Sequence, residues 1–292
     1  MRQQGGRVRK MIKWMAIAVG VAVVGLYVLY PVAMGVAAVW PARTSVPAAP
    51  AGFVDVTFDT SKGETLAAWY RAGENEAAVI VLHGAGETRA SVRGIAEFLA
   101  QSGYGVRAVD LRGHGESSGR TNRLGWQGTD DVRAAVRYLE AQGSTKIGGL
   151  GLSMGGEALL GAASEVRELR GIVADGATRR SVGELLALPS ERPLYRNFTA
   201  RIMFATAGLL SGDREPLPLL ESIAAAPTTR FLFIAAGAKE REVEFNELFT
   251  RTLGERAALW VAPDAGHTQA FALYPDEYRA RVLEFFSGSL GI

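Results

Sequence analysis

The sequence lacks cysteine altogether and has only three histidines among its 292 residues. The absence of cysteine excludes disulfides, thiolate metal sites, iron–sulfur clusters and a cysteine nucleophile. Acidic residues are missing from the first 50 positions, where six Lys and Arg residues stand. Removing these six from the 32 basic residues leaves 26 against 30 acidic ones, a formal charge of −4 for the rest of the chain. Such a body gives no electrostatic support for a nucleic-acid partner.

Hydrophobic residues make up 48% of the chain and charged residues 21%. Chains that remain disordered combine low hydrophobicity with high net charge, which is not the case here. The composition therefore predicts a folded protein with a substantial core.

The N-terminal region predicts a membrane-spanning segment. Residues 1–13 carry five basic residues, and an uncharged stretch follows over residues 14–40. As a helix, residues 14–30 alone extend about 26 Å, and continuation through Val39 makes the segment long enough to cross a bilayer. Tryptophans and tyrosines lie toward its ends, where the membrane interface favours them. We therefore expect a basic cytoplasmic tail over 1–13, a transmembrane signal-anchor over 14–40 and everything beyond it outside the cytoplasm.

Two other interpretations of this segment are open. One is a cleaved signal peptide, although the apolar region of such peptides usually spans only about 7–15 residues. Small residues at 33–38 would permit cleavage. The other is a buried helix of a soluble core. Residues 41–52, rich in proline and alanine, predict an extended linker, and residues 53–292 a globular domain.

Beyond residue 52, short apolar runs alternate with helical patterns. The runs at 53–58 and 65–70 flank a turn and predict an antiparallel pair of strands. Six further compact runs, typical of strands buried on both faces, lie at 78–82, 106–109, 147–150, 171–174, 231–236 and 257–261. The pattern predicts an α/β fold with an eight-stranded, mostly parallel sheet and flanking helices. Residues 178–228 are too long for an ordinary connection and predict a helical insertion, or lid.

A candidate nucleophile follows the predicted strand at 147–150. Gly151-Leu-Ser153-Met-Gly155 stands between that strand and a helical pattern. In a strand–turn–helix elbow, the strained serine projects its hydroxyl from the sheet, and the two glycines relieve crowding. The competing interpretation is a simple Gly/Ser cap of the helix. The glycine frame favours the elbow and a nucleophilic Ser153.

A serine hydroxyl needs a neighbouring base to act as a nucleophile at neutral pH. His83 follows a strand well before the serine, and His114 lies in a glycine-rich loop where we expect it to brace the structure. His267 follows the last predicted strand. Proteins with this type of elbow place the histidine after the nucleophile in the chain, which favours His267 as the base. An ordinary surface histidine is the alternative.

The negative oxygen of a tetrahedral intermediate must be held by preorganised donors. The amide of Met154, directly after the serine, is one candidate. The second is expected in the loop after the strand at 78–82, where His83-Gly-Ala85 stands, and the Ala85 amide is the natural choice. The alternative for this loop is a plain glycine turn.

Four motifs together carry a family resemblance. They are G-L-S-M-G-G at 151–156, H-G-A-G-E at 83–87, D-L-R-G-H-G-E-S at 110–117 and the terminal G-H at 266–267. The chain, over about residues 53–287, resembles the α/β-hydrolases and is most similar to their monoacylglycerol-lipase and serine-aminopeptidase branch. The resemblance implies a serine-hydrolase triad with Ser153 and His267, oxyanion donors at Ala85 and Met154, and neither cofactor nor metal.

The acid of the triad is where the sequence departs from the family. The family usually has Asp after the seventh strand, and this loop reads Gly237-Ala-Lys-Glu-Arg-Glu242. We predict Glu240, which lies three residues beyond Gly237, as resembling enzymes place their Asp. Glu242 is an alternative, although it is expected on the solvent face of the following helix. Asp175, at the end of the sixth predicted strand, is another, whereas Asp264 is expected to belong to a turn.

These expectations lead to a membrane-anchored enzyme that cleaves small-molecule or lipid-derived carboxylic esters. The same triad serves amide and peptide bonds, so a serine peptidase or amidase is the alternative enzyme. A non-catalytic interaction module with the same fold is the alternative outside catalysis. The membrane is the partner that the N-terminal segment implies, and nothing in the sequence indicates a protein partner.

Overall fold

The computed structural model describes residues 2–120, 123–188 and 194–292. Within these ranges the chain forms two compact units. One combines residues 2–39 with 194–213, and the other contains the rest. The sequence predicts that the whole insertion belongs to the globular domain. The structure instead groups its central helix with the N-terminal helix, because the two helices pack together.

The strands of the second unit form an eight-stranded sheet and one short pair. In chain order they are β1 Ala42–Arg43, β2 Val54–Asp59, β3 Thr65–Arg71, β4 Ala77–Leu82, β5 Gly105–Val109, β6 His114–Gly115, β7 Lys146–Leu152, β8 Leu169–Asp175, β9 Arg230–Ala236 and β10 Ala257–Ala262. The large sheet has the order β10-β9-β8-β7-β4-β5-β3-β2. Its β2–β3 and β3–β5 pairs are antiparallel, and its other neighbours are parallel. The predicted eight-stranded, mostly parallel sheet is confirmed.

The helices are α1 Arg2–Val24, α2 Tyr30–Val39, α3 Arg93–Gln101, α4 Gly128–Ala141, α5 Met154–Ala162, α6 Val182–Ala187, α7 Leu194–Ser211, α8 Leu219–Ala225, α9 Glu240–Leu253, α10 Ala270–Leu273 and α11 Pro275–Leu290. A π-helical turn, Gly25–Leu29, joins α1 to α2. Short 3₁₀ turns occupy Arg89–Val92 and Gly254–Arg256. The described parts of the insertion between β8 and β9 contain the helices α6, α7 and α8, in agreement with the predicted helical insertion.

Burial explains why the central strands are uniformly apolar. Every residue of β4 and β5 is buried, because helices cover both faces of a parallel sheet. Parallel strands bring their carboxyl ends to one edge, which is where such folds hold their ligands. Strands β4, β7, β8, β9 and β10 are neighbours in this parallel arrangement. The loops that follow them are therefore brought together.

The predicted linker is more structured than its composition indicates. β1 pairs in parallel with β6. The Ala42 amide donates to the Gly113 carbonyl at 2.8 Å, and the Thr44 amide to that of Gly115 at 3.1 Å. Because glycine carbonyls are unshielded by side chains, the chain that leaves the N-terminal helix adds a short strand to the second unit.

Among the described residues, one helical stretch, Arg9–Val39, is long and apolar enough to cross a membrane. Almost none of its most apolar part is buried. This exposure distinguishes it from the core helix of a soluble protein, which would be enclosed.

Candidate active site

The turn from β7 into α5 has the geometry of a strained elbow. Ser153 has φ 48° and ψ −115°, a conformation that is uncommon for a residue with a side chain. A Cβ on Gly151 would lie 2.3 Å from the backbone of Gly155, and one on Gly155 would lie 2.7 Å from the Leu82 carbonyl oxygen. The Ser153 side chain makes no capping bond to α5. Close packing therefore requires the two glycines, and the serine is not a simple helix cap.

The structure brings Ser153 and His267 together. The serine Oγ lies 2.9 Å from the histidine Nε2, and the histidine Nδ1 lies 2.6 Å from Glu242 Oε2. Because an ionised carboxylate only accepts hydrogen bonds, the imidazole proton belongs on Nδ1. Nε2 is then left to accept the serine proton. This is the arrangement that a serine nucleophile requires.

The carboxylate at the histidine is Glu242, so the placement of Glu240 in the triad is corrected. Glu240 is the exposed first residue of α9. Two residues correspond to about 200° of rotation on a helix, so the two glutamates point in nearly opposite directions. Glu242 shares its helix face with the buried Phe245 and Phe249. The spacing of these phenylalanines relative to Glu242 was the sequence signal that could have identified Glu242 as the acid. Glu242 therefore lies on the buried face of α9 and not on the solvent face, where the sequence analysis expected it.

Glu242 is held firmly. Its side chain is only 4% exposed. Oε1 accepts the Ala236 amide at 2.7 Å, which leaves Oε2 for the histidine. The bond to Glu242 raises the pKa of His267, and partial burial of the ring opposes this rise. A base with a raised proton affinity accepts the serine proton more readily.

Asp175, the other alternative acid, lies near the elbow without bonding the histidine. Its backbone carbonyl accepts the Ser153 amide at 2.7 Å. Burial and the charge of Glu242 raise the pKa of its carboxyl to about 7. The following residue, Gly176, has φ +74°, and a Cβ there would lie 3.1 Å from His267 Nδ1. Asp264 has φ 55°, as expected for a turn residue.

His83 and His114 are buried and join two loops. His83 Nε2 accepts the Leu111 amide at 3.1 Å, and His114 Nε2 accepts the Gly86 amide at 3.2 Å. Burial lowers the pKa of each to about 4, so both rings are neutral. The structure therefore assigns His114 the bracing position that the sequence predicts, with His83 in a similar position.

These contacts place the predicted oxyanion loop beside the serine. A Cβ on Gly84 would lie 3.7 Å from the Ser153 Cβ. Met154 is the first residue of α5, and the first amides of a helix have no intrahelical acceptor. Ala85 is exposed in the braced loop. No hydrogen bond within the described residues uses the amide of either, which leaves both for a ligand oxygen.

Glu157 was missed by the sequence analysis. It lies in α5 one turn after the serine and is buried. One of its carboxylate oxygens accepts the amides of Thr178 and Arg179 at 3.1 and 3.0 Å. It therefore ties the start of the insertion to the elbow helix. The sequence feature that could have identified Glu157 is that it is the single charged residue within the apolar run Met154–Ala162.

Comparisons with known proteins agree with this geometry. Residues 73–202 match the family model described as serine aminopeptidase, S33. The esterase Pf2001 of Pyrococcus furiosus is 26% identical over 86% of this chain and 99% of its own, with a TM-score of 0.66. The Exiguobacterium antarcticum esterase EaEST is 18% identical over 80% and 100%, with a TM-score of 0.59. A membrane phospholipase A, a bacterial virulence factor, is 16% identical over 96% and 99%, with a TM-score of 0.58.

The sheet order, the elbow and these similarities show that the protein has the α/β-hydrolase fold, which it shares with the esterases to which it is similar. Within that fold, its sequence is similar to the serine-aminopeptidase branch, as the motifs predict.

Proposed function

We propose that this protein is a membrane-anchored serine hydrolase that cleaves carboxylic esters through an acyl-enzyme on Ser153. The observation that carries the proposal is the continuous series from Glu242 through His267 to Ser153, with contacts of 2.6 and 2.9 Å. A buried carboxylate, an oriented imidazole and a partly exposed serine together form the apparatus for acyl transfer.

In the acylation step, Ser153 Oγ attacks the ester carbonyl while His267 Nε2 takes its proton. Glu242 stabilises the imidazolium that forms. The amides of Ala85 and Met154 donate to the oxyanion of the tetrahedral intermediate. The imidazolium then protonates the leaving alcohol, and the acyl group remains on the serine. Water activated by the same histidine hydrolyses the acyl-enzyme and restores the free serine.

A fluorophosphonate probe tests the catalytic assignment. We expect the probe to label the wild type and not Ser153→Ala, because phosphonylation needs the activated hydroxyl. The control is Ser102→Ala, which removes an exposed serine at the end of α3 and leaves labelling intact. A folded wild-type protein that is not labelled would favour the non-catalytic interaction module.

The peptidase alternative is favoured by one observation, the match to a serine-aminopeptidase family model. An ester and an amide with the same acyl group and the same chromophore separate the two activities. We expect the ester to be cleaved and the amide to be cleaved far more slowly. Faster turnover of an aminoacyl amide would reverse the assignment.

The membrane anchor is supported by the exposed apolar stretch Arg9–Val39. The similar membrane phospholipase A aligns over 96% of this chain, too large a share to omit the whole N-terminal helix. The basic residues in the first half of α1 favour a cytoplasmic N-terminus and a hydrolase domain on the other side. We expect the full chain to stay in the membrane pellet after alkaline extraction. Release of a protein that begins beyond residue 33 would indicate a cleaved signal peptide instead.

Tethering to a bilayer favours lipid-derived esters as substrates, because these are concentrated at the membrane surface. A series of p-nitrophenyl esters of increasing acyl length tests the acyl specificity. We expect turnover to rise from acetate toward longer chains. Cleavage of acetate alone would exclude a long acyl pocket.

A further inference from the structure

The central helix of the insertion, α7, lies alongside the N-terminal helix within the first unit. The ring of Tyr195 packs edge-on against that of Tyr27, with centroids 5.9 Å apart. Further along, a Cβ on Gly35 would lie 2.6 Å from the Thr206 Cβ and 2.7 Å from the Met203 carbonyl oxygen. Both helices advance in the same direction between these two contacts, so they run parallel.

Small residues on α2 permit this approach. Its buried residues are Pro31, Gly35 and Ala38, which are spaced four and three positions apart and share one face. A face of small residues lets two backbones come close. The close contact at Gly35 thus holds α7 against α2.

The Tyr27–Tyr195 contact sets the depth of α7. A hydrocarbon layer of about 30 Å takes about 20 helical residues. Lys13 is the last basic residue of the tail, and about 20 helical residues beyond it reach Ala33. The helix therefore leaves the hydrocarbon near Ala33. Tyr27 and Tyr30 then lie toward the outer interface, where tyrosine is favoured. Since Tyr195 contacts Tyr27, six residues before Ala33, α7 begins about 9 Å inside the outer boundary of the hydrocarbon.

The exposed side of α7 is apolar where it begins. Leu194 is 87% exposed and Phe198 51%, and their spacing of four places them on one face. Arg196 and Arg201 are also exposed, and residues 194–211 contain no acidic side chain. Apolar residues flanked by arginine, with no competing negative charge, match the headgroup boundary of a phospholipid leaflet.

We propose that α7 is a second membrane-contacting helix. Leu194, Tyr195 and Phe198 insert into the outer leaflet beside the anchor, and Arg196 and Arg201 lie among the lipid phosphates. The proposal rests on the membrane anchoring proposed above. It also deepens the proposed function, because α7 belongs to the insertion that interrupts the hydrolase sheet between β8 and β9. The bilayer then holds part of this insertion directly, which favours membrane phospholipids and glycerides as the ester substrates.

The absence of native cysteine allows a direct test. Full-length Leu194→Cys and Phe198→Cys variants would each carry one nitroxide spin label in vesicles of phosphatidylcholine and phosphatidylglycerol. Accessibility to oxygen, which concentrates in lipid, is compared with accessibility to an aqueous nickel chelate. The matched control is Leu209→Cys, because Leu209 is 84% exposed and lies on the same face as Leu194, about 22 Å further along the helix.

We expect labels at 194 and 198 to favour oxygen severalfold over the nickel chelate, and the label at 209 to favour the chelate. Val21→Cys, in the middle of the span, reports on the anchor independently. If position 21 is in lipid while 194 and 198 are as accessible to the chelate as 209, the proposal for α7 is wrong and the anchor stands. If position 21 is itself accessible to the chelate, the anchoring fails.

A second copy of the chain is the other occupant that this face would suit. In that case labels at 194 and 198 would be shielded from both reagents. Their spectra would also show spin–spin broadening that disappears on dilution with unlabelled protein. This result would overturn the proposal and assign the face to a dimer.

Discussion

His83 lies in the loop that follows β4 and His114 in the short strand β6, whereas His267 lies in the loop that follows β10. The first two are buried and neutral, with pKa values lowered to about 4 by burial. The side chain of His267 is 46% exposed, and its bond to Glu242 raises its pKa. The same residue type thus braces loops in one region and is poised for proton transfer in the other. The difference comes from burial, which disfavours the charged form of His83 and His114, and from the carboxylate partner of His267, which favours a proton on the ring.

Removal of His267 is the strongest way to break this comparison. We expect His267→Ala to lower kcat by on the order of 10⁶, because the serine loses its base. His83→Gln, by contrast, should act mainly through stability, since the His83 ring bonds the Leu111 amide and the Gly84 carbonyl and makes no hydrogen bond to Ser153. Steady-state kinetics with a p-nitrophenyl ester, together with thermal unfolding, distinguish the two effects. Equal losses of kcat in two folded variants would show that the regions are not separate.

Replacement of the carboxylate tests what makes His267 different. Glu242→Gln should lower kcat by about 10⁴, because the amide no longer selects the tautomer with the proton on Nδ1. Glu240→Gln, two residues earlier on the exposed side of α9, is the matched control and should retain turnover within about twofold. Should Glu240→Gln be the inactive variant, the helix register of α9 in the structure is incorrect.

The buried histidines predict a loss of stability in acid. A group whose pKa is lowered on folding stabilises the protein fully above its unfolded pKa, near 6.5, and loses this contribution as the pH falls toward 4. For His83 the loss is on the order of 3 kcal/mol. Urea unfolding between pH 7 and 4 measures it. His83→Gln should be less stable at pH 7 and show a slope shallower by about 1.4 kcal/mol per pH unit. An unchanged slope would mean that this ring takes up no proton on unfolding.

The pH dependence of kcat/KM reports on the exposed histidine. Activity should fall as the pH drops through the pKa of His267, which lies above its usual value of 6.5. In Glu242→Gln the residual activity should persist to lower pH, because the bond that favours the imidazolium is lost. If kcat/KM falls at the same acidic pH in the wild type and in Glu242→Gln, a group other than His267 controls the pH profile.

Asp175→Asn is expected to have the smallest effect, less than about tenfold in kcat. The carboxyl is buried and its pKa is raised to about 7, so the neutral amide resembles a form already present at neutral pH. Its bond to the elbow uses the backbone carbonyl, which the substitution retains. A loss as large as that of Glu242→Gln would transfer the acid role to Asp175.

The sequence alone determined the sheet and the elbow. Strand cores such as 78–82 and 231–236 are recognisable because burial on both faces demands continuous apolar residues, a local pattern. Ser153 is recognisable because its turn leaves no room for a Cβ on Gly151 or Gly155. The turn therefore requires glycine two positions before and after the serine, which is a local pattern. Similarly, His267 follows the last strand within a few positions.

Only the tertiary structure decided which glutamate meets His267 and which helix accompanies the N-terminal segment. Glu240 and Glu242 are the same residue type two positions apart, and the rotation of α9 against the sheet selects between them. The pairing of α7 with α2 joins residues far apart in the chain through small side chains that have no distinctive local pattern. Both outcomes depend on packing between distant segments, which local periodicity does not encode.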